Sequence, residues 1–97
     1  MSTPVTLVIP QLLQPLVAGQ RQLSLGVDEQ GATVAELLDV VGSSYPVFNR
    51  RVRDETGALR RFVNVYLNGD DVRRLDGLQT RAAPGAEVLV LQSVAGG

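Results

Sequence analysis

The sequence contains no cysteine, no histidine, no tryptophan and no lysine. Without cysteine no disulfide can form, so bridges carry no information about redox compartment. Without cysteine or histidine, zinc and other soft metals lack their usual ligands. The same gap removes the common nucleophile and general-base pairs of enzyme sites. All nine basic residues are arginine, so no side-chain amine is available for a Schiff base or an isopeptide bond. Long apolar runs are missing as well. No stretch approaches the ~20 residues of a membrane span, and the opening MSTPVTLVIP lacks the basic region of a signal peptide. A cytoplasmic location is therefore expected. The net charge of -1 gives no reason to expect nucleic acid or an anionic membrane as partner.

What is present is one domain's worth of patterned chain. The 97 residues suffice for a single modest core, and 44% hydrophobic residues is ordinary for a globular protein. The run VTLVI (5–9) places Val5, Leu7 and Ile9 on one face before Pro10 stops it. QLLQPLVAGQ holds Pro15 and Gly19 and is read as a turn or wide hairpin loop. RQLSLGV alternates again, with Leu23, Leu25 and Val27 on one face, so an antiparallel hairpin is expected.

In GATVAELLDVVGSSYP the period changes. Val34, Leu37, Leu38 and Val41 share one helical face, and Thr33 with Glu36 has capping-box spacing. Gly42 and Pro46 are read as closing that helix, which is expected to run from about Val34 to about Val41 or slightly past it. Residues 47–61, VFNRRVRDETGALRR, are expected to form an exposed charged loop with one short helical turn. The strand FVNVYL follows, and Asn68-Gly69 supplies a tight turn. A short strand near Val72, irregular chain around Gly77, Pro84 and Gly85, and a final strand EVLVLQSV complete the order. The fold class this predicts is α+β, a mixed sheet with one main helix packed across one face. Its core should set Val5, Leu7, Leu23, Leu25, Val63, Val65, Val88 and Val90 against the four apolar helix residues.

The last strand is apolar at every position from Val88 to Leu91. Burial on both faces would produce that pattern, but one helix covers one face only. With Val88 and Val90 toward the helix, Leu89 and Leu91 point outward, and so do Phe62 and Tyr66 on the neighbouring long strand. These four form a candidate partner-docking face. The arginines at 50, 51, 53, 60, 61, 73 and 74 are read as solvated charges able to steer docking onto an acidic surface. Asp70 and Asp71 are read as turn residues rather than as a metal or catalytic pair.

A Gly-Gly at the end of a chain is by itself what any frayed terminus could carry. Here Gly96-Gly97 follows an apolar strand. In this element order the chain resembles ubiquitin-like β-grasp proteins. The segments RFVNVYLNGDDVR (61–73) and SVAGG (93–97) resemble the bacterial sulfur carriers of the ThiS/MoaD family, nearest the actinobacterial carriers of cysteine synthesis.

That resemblance implies a ubiquitin-like β-grasp domain over residues 1–93 and a flexible C-terminal Gly-Gly tail over 94–97. It implies a protein co-substrate, not an enzyme. Gly97 would be adenylated and converted to a thiocarboxylate, and Val94, Ala95 and Gly96 would thread a partner's active site. The chain would bind no cofactor; ATP would be used by the activating enzyme. The implied partners are an adenylating and sulfur-transferring activating enzyme and a downstream sulfur-incorporating enzyme, cysteine-synthase-like or thiosugar-type. A metalloprotease that frees cysteine from the tail would complete the first route. The small subunit of molybdopterin synthase, or a ubiquitin-like modifier conjugated through Gly97, would carry the same tail and stay open as alternatives.

Overall fold

Period-two alternation builds a sheet here, and the one long stretch of period 3.6 lies against it. The computed structural model describes residues 2–93. In chain order the elements are β1 (Val5–Val8), a 3-10 helix (Gln11–Val17), β2 (Gln22–Leu25), β3 (Ala32–Thr33), α1 (Val34–Ser44), α2 (Pro46–Val52), β4 (Val63–Leu67) and β5 (Asp70–Asp71). Two 3-10 turns (Val72–Arg74 and Gly77–Gln79), β6 (Arg81–Ala82) and β7 (Glu87–Gln92) follow. Five strands form one sheet in the order β2-β1-β7-β4-β5, and β3 pairs with β6 separately. β1 and β7 run parallel at the centre, whereas β1–β2, β4–β7 and β4–β5 are antiparallel. The sheet is therefore mixed, as expected. No helix among the described residues is long and apolar enough to cross a membrane.

All twelve residues expected in the core are buried there. The helix starts where its sequence says it should. Thr33 Oγ1 accepts from the Glu36 backbone N–H at 3.1 Å, and Glu36 Oε1 accepts from the Thr33 N–H at 2.8 Å, which closes the capping box. The Asn68-Gly69 turn joins β4 to β5 with both residues at positive φ, 48° and 90°. That is the backbone a two-residue hairpin needs to match the strand twist.

Several expectations are corrected. Gly42 does not end α1, which runs on to Ser44. A Cβ at Gly42 would lie 2.9 Å from Asn49 Cγ, so this glycine lets α2 approach α1. Pro46 opens α2 rather than simply closing α1, since its missing N–H is no loss in a first turn. Residues 46–52 are accordingly a helix and not an exposed loop, with Phe48 and Val52 fully buried one turn apart. The stretch after β1 is a 3-10 helix rather than an open loop. Leu13 and Val17 are buried from it, and Ala18 ends it in the left-handed region. The short strand near Val72 is Asp70–Asp71, and Val72 is a core residue at the start of a 3-10 turn. Arg53 is not a solvated charge. It is 8% exposed, donates through Nε and Nη2 to Asn49 Oδ1 at 2.9 and 2.7 Å, and pairs with Asp39 at 2.7 Å.

Candidate functional site

The face of the sheet turned away from the core is where the candidate docking residues lie. Buried Val63 and Val65 alternate with Asn64 and Tyr66 along β4, and buried Val88 and Val90 alternate with Leu89 and Leu91 along β7. The register then fixes rows across the strands. Val8, Leu89 and Tyr66 are direct neighbours on β1, β7 and β4, and Asp71 on β5 ends the row. Leu91 stands opposite Asn64 in the next row. Phe62 precedes β4, and its carbonyl accepts from the Ser93 N–H at 2.8 Å, which carries the pairing one step past β7. Phe62 is 46% and Leu91 39% exposed, while Tyr66 and Leu89 are half-buried. Their cross-strand pairing explains the difference, because each covers part of the other.

One contributor to this face, Val8, was not read from the sequence, and Arg73, read there only as a solvated charge able to steer docking, is held in place beside it. Val8 joins the apolar row beside Leu89, and its parity, opposite to that of Leu7, was the available signal. Arg73 crosses the rim of β4. It donates through Nη1 to Asn64 Oδ1 at 2.7 Å and through Nη2 to the Arg60 carbonyl at 3.1 Å. Nothing local in the sequence marks that reach. The result is an apolar strip with a fixed guanidinium at one side, a mixture typical of protein–protein contact surfaces.

Asp71 behaves as a turn residue, with Oδ1 accepting from the Arg73 N–H at 2.9 Å. Among the described residues no cluster of three or more His, Cys, Asp or Glu could hold a metal ion. Two carboxylates sit below the ordinary range. Hydrogen bonds from the Thr33 backbone and hydroxyl hold Glu36 down, and bonds from the Thr56 hydroxyl and backbone hold Asp54 down. Both shifts come from local turns and caps rather than from the sheet face. Val94, Ala95, Gly96 and Gly97, named from the sequence as tail and reacting residue, lie outside the described residues. What the described surface offers is a place to be held, beside the strand that leads to those residues.

The ThiS family model matches residues 15–97. Sulfur carrier protein CysO of Mycobacterium tuberculosis (strain ATCC 25618 / H37Rv) is 40% identical over 95 residues, which cover 96% of this chain and 98% of that protein. The crystal structure of M. tuberculosis CysO matches with a TM-score of 0.80 at 36% identity, covering 93% of this chain and 99% of that one. A chain of the Amycolatopsis orientalis BexX/CysO complex matches with a TM-score of 0.76 at 38% identity, covering 96% and 99%. Small archaeal modifier protein 3 of Haloferax volcanii is 36% identical over 81 residues, 84% of this chain and 86% of its own length.

Proposed function

The chain belongs to the ThiS family, with the ubiquitin-like β-grasp fold, and from that premise we propose that it is a sulfur carrier protein. It is not an enzyme but the protein-bound sulfur donor for partner enzymes. The Gly97 carboxylate is its working group. On an activating enzyme that carboxylate attacks the α-phosphorus of ATP, pyrophosphate leaves, and an acyl-adenylate forms. Sulfide then adds to the acyl carbon and AMP departs, leaving a thiocarboxylate. The carboxylate alone is a poor acyl donor, and adenylation supplies the missing leaving group. Val94, Ala95, Gly96 and Gly97 are the tail that threads the partner's active site, and Gly96 and Gly97, having no Cβ atoms, suit the narrowest part of such a channel.

Near-full-length identity to a sulfur carrier carries this reading, and the family match extends through Gly97. The same relative favours cysteine biosynthesis as the destination of the sulfur. In that route the thiocarboxylate attacks an activated serine derivative held by a pyridoxal-phosphate enzyme, and a metalloprotease frees cysteine from the tail. The sheet face of Val8, Phe62, Tyr66, Leu89 and Leu91 is the docking surface for the activating enzyme, and a cytoplasmic location goes with the need for ATP in this reading.

A second reading, a protein modifier conjugated through Gly97, is favoured by the relative named a small archaeal modifier protein. One pair of measurements separates the two. Intact mass after incubation with ATP, sulfide and the activating enzyme should show thiocarboxylate formation. A tagged chain expressed in cells should show no denaturant-resistant adducts. Abundant adducts without sulfur exchange would favour the modifier.

A further inference from the structure

Among the described residues the one salt bridge is Arg53–Asp39, so Arg50, Arg51, Arg60 and Arg61 carry their charge without a paired carboxylate. The fold gathers these four at one end of the molecule. Arg50 and Arg51 lie in the last turn of α2, and Arg60 and Arg61 lie just before Phe62, which leads into β4. Arg50, Arg51 and Arg60 line an open cleft of about 420 Å³ together with Val47, Phe62 and Gln92. Arg61 shares an adjoining hollow with Arg60 and Phe62. Asp39, Asp54 and Glu55 line a neighbouring hollow with Arg50 and Arg60. Asp39 is paired with Arg53, and Asp54, which Thr56 and to a lesser degree Arg60 hold below the ordinary carboxylate range, has its Oδ1 engaged by the Thr56 and Ala58 N–H groups. Arg60 is held in place by its Nε, which donates to the Arg50 carbonyl at 2.7 Å. Gln92 Oε1 is buried with no hydrogen-bond partner.

The position of the cleft matters as much as its charge. Gln92 pairs with Val63, and Ser93 bonds to Phe62, so the cleft opens where β7 leads out toward Gly97. Phe62 belongs both to the cleft and to the docking face. We propose that this cleft seats an acidic segment of the activating enzyme, with carboxylates on Arg50, Arg51 and Arg60 and an apolar side chain against Val47 and Phe62. The proposal deepens the carrier reading and rests on it for the identity of the partner. Guanidinium forks suit carboxylates, and clustered like charges gain together from one occupant of opposite sign. Among the described residues Phe62 is the one exposed aromatic, and with a net charge of -1 this argues against a nucleic-acid strand, which favours stacking platforms along a basic groove.

The test needs no activating enzyme, so its failure is distinct from a failure of the carrier reading. The full chain is titrated with a short peptide of alternating glutamate and leucine, followed by amide NMR. Shifts should concentrate at Arg50, Arg51, Arg60, Phe62 and Gln92, and binding should weaken when salt is raised to ~1 M, where the Debye length falls to about 3 Å. Arg50→Gln with Arg51→Gln should weaken binding by about fivefold or more, while Arg21→Gln should not. The proposal is overturned if a glutamine–leucine peptide or inorganic phosphate shifts the same amides equally. It is overturned as well if a single-stranded oligonucleotide displaces the peptide, or if salt has no effect on the unaltered chain.

Discussion

Val90 and Leu91 are adjacent in β7 and face opposite ways, which makes them a sharp test of the docking face. Val90 is fully buried and Leu91 is 39% exposed. Val90→Ala removes two buried methyl groups at about 0.8 kcal/mol each and leaves a small cavity, so it should cost about 2 kcal/mol. Leu91→Ala removes more atoms, but many already touch water and none leaves a sealed void. Its cost should stay below about 1 kcal/mol. Binding should show the opposite order. Leu91→Ala should weaken association with the activating enzyme by about five- to tenfold, whereas Val90→Ala, assayed where it is folded, should leave it nearly unchanged. Denaturant unfolding with matched slopes gives the first quantity, and titration calorimetry gives the second. The reasoning fails if Leu91→Ala unfolds the domain as readily as Val90→Ala, or if it binds as tightly as the unaltered chain.

Tyr66→Ala should follow the Leu91→Ala pattern, with binding lost and the melting temperature nearly kept; a collapse of the fold would place Tyr66 in the core. Gly42→Ala should destabilise the protein even though alanine gains about 1 kcal/mol over glycine in a helix interior. The new Cβ would meet Asn49, whose Oδ1 holds the buried Arg53. Adding Asn49→Ala should therefore remove most of the extra penalty in a double-mutant cycle, and additive losses would refute the contact. Thr33→Ala should cost about 1 kcal/mol through loss of the cap. It should also raise the titration midpoint of Glu36 partway, because the Thr33 backbone N–H, the larger cause of its lowering, is kept and only the hydroxyl is lost. Because the folded pKa is depressed, this contribution is present at neutral pH and is lost as pH falls through the folded value. An NMR titration of the Glu36 carboxyl that is unchanged by Thr33→Ala would contradict the assignment.

The sheet and α1 were legible because each carries one clean period over several residues. Val63 and Val65, or Val34 and Val41, announce their side without help from the rest of the chain. The segments that misled are those where punctuation outweighs period. Pro15 and Gly19 draw attention away from Leu13 and Val17, the two residues buried by the 3-10 helix after β1. The arginines around Phe48 and Val52 make a buried helix face look like a charged loop. Arg53 could not be told from its neighbours, since its partners Asp39 and Asn49 become meaningful only once α2 is known to pack on α1. On the docking face, parity along each strand gave Phe62, Tyr66, Leu89 and Leu91. Val8 was equally readable from the alternation of β1. Arg73 reaches Asn64 through a hairpin that only the folded register defines.

The central claim, that Gly97 carries sulfur, is tested most directly by intact-protein mass after incubation with ATP, the activating enzyme and sulfide. Three chains are compared: the native one, one lacking Gly97, and one with a residue added beyond it. Removing Gly97 draws the carboxylate back by about 3.3–3.6 Å, far more misplacement than an acyl-transfer site tolerates. An added residue overshoots and brings a Cβ into the channel. The native chain should gain the mass of one oxygen-to-sulfur exchange, and the other two should stay unchanged. Equal conversion of all three, or no conversion of the native chain, would contradict the account.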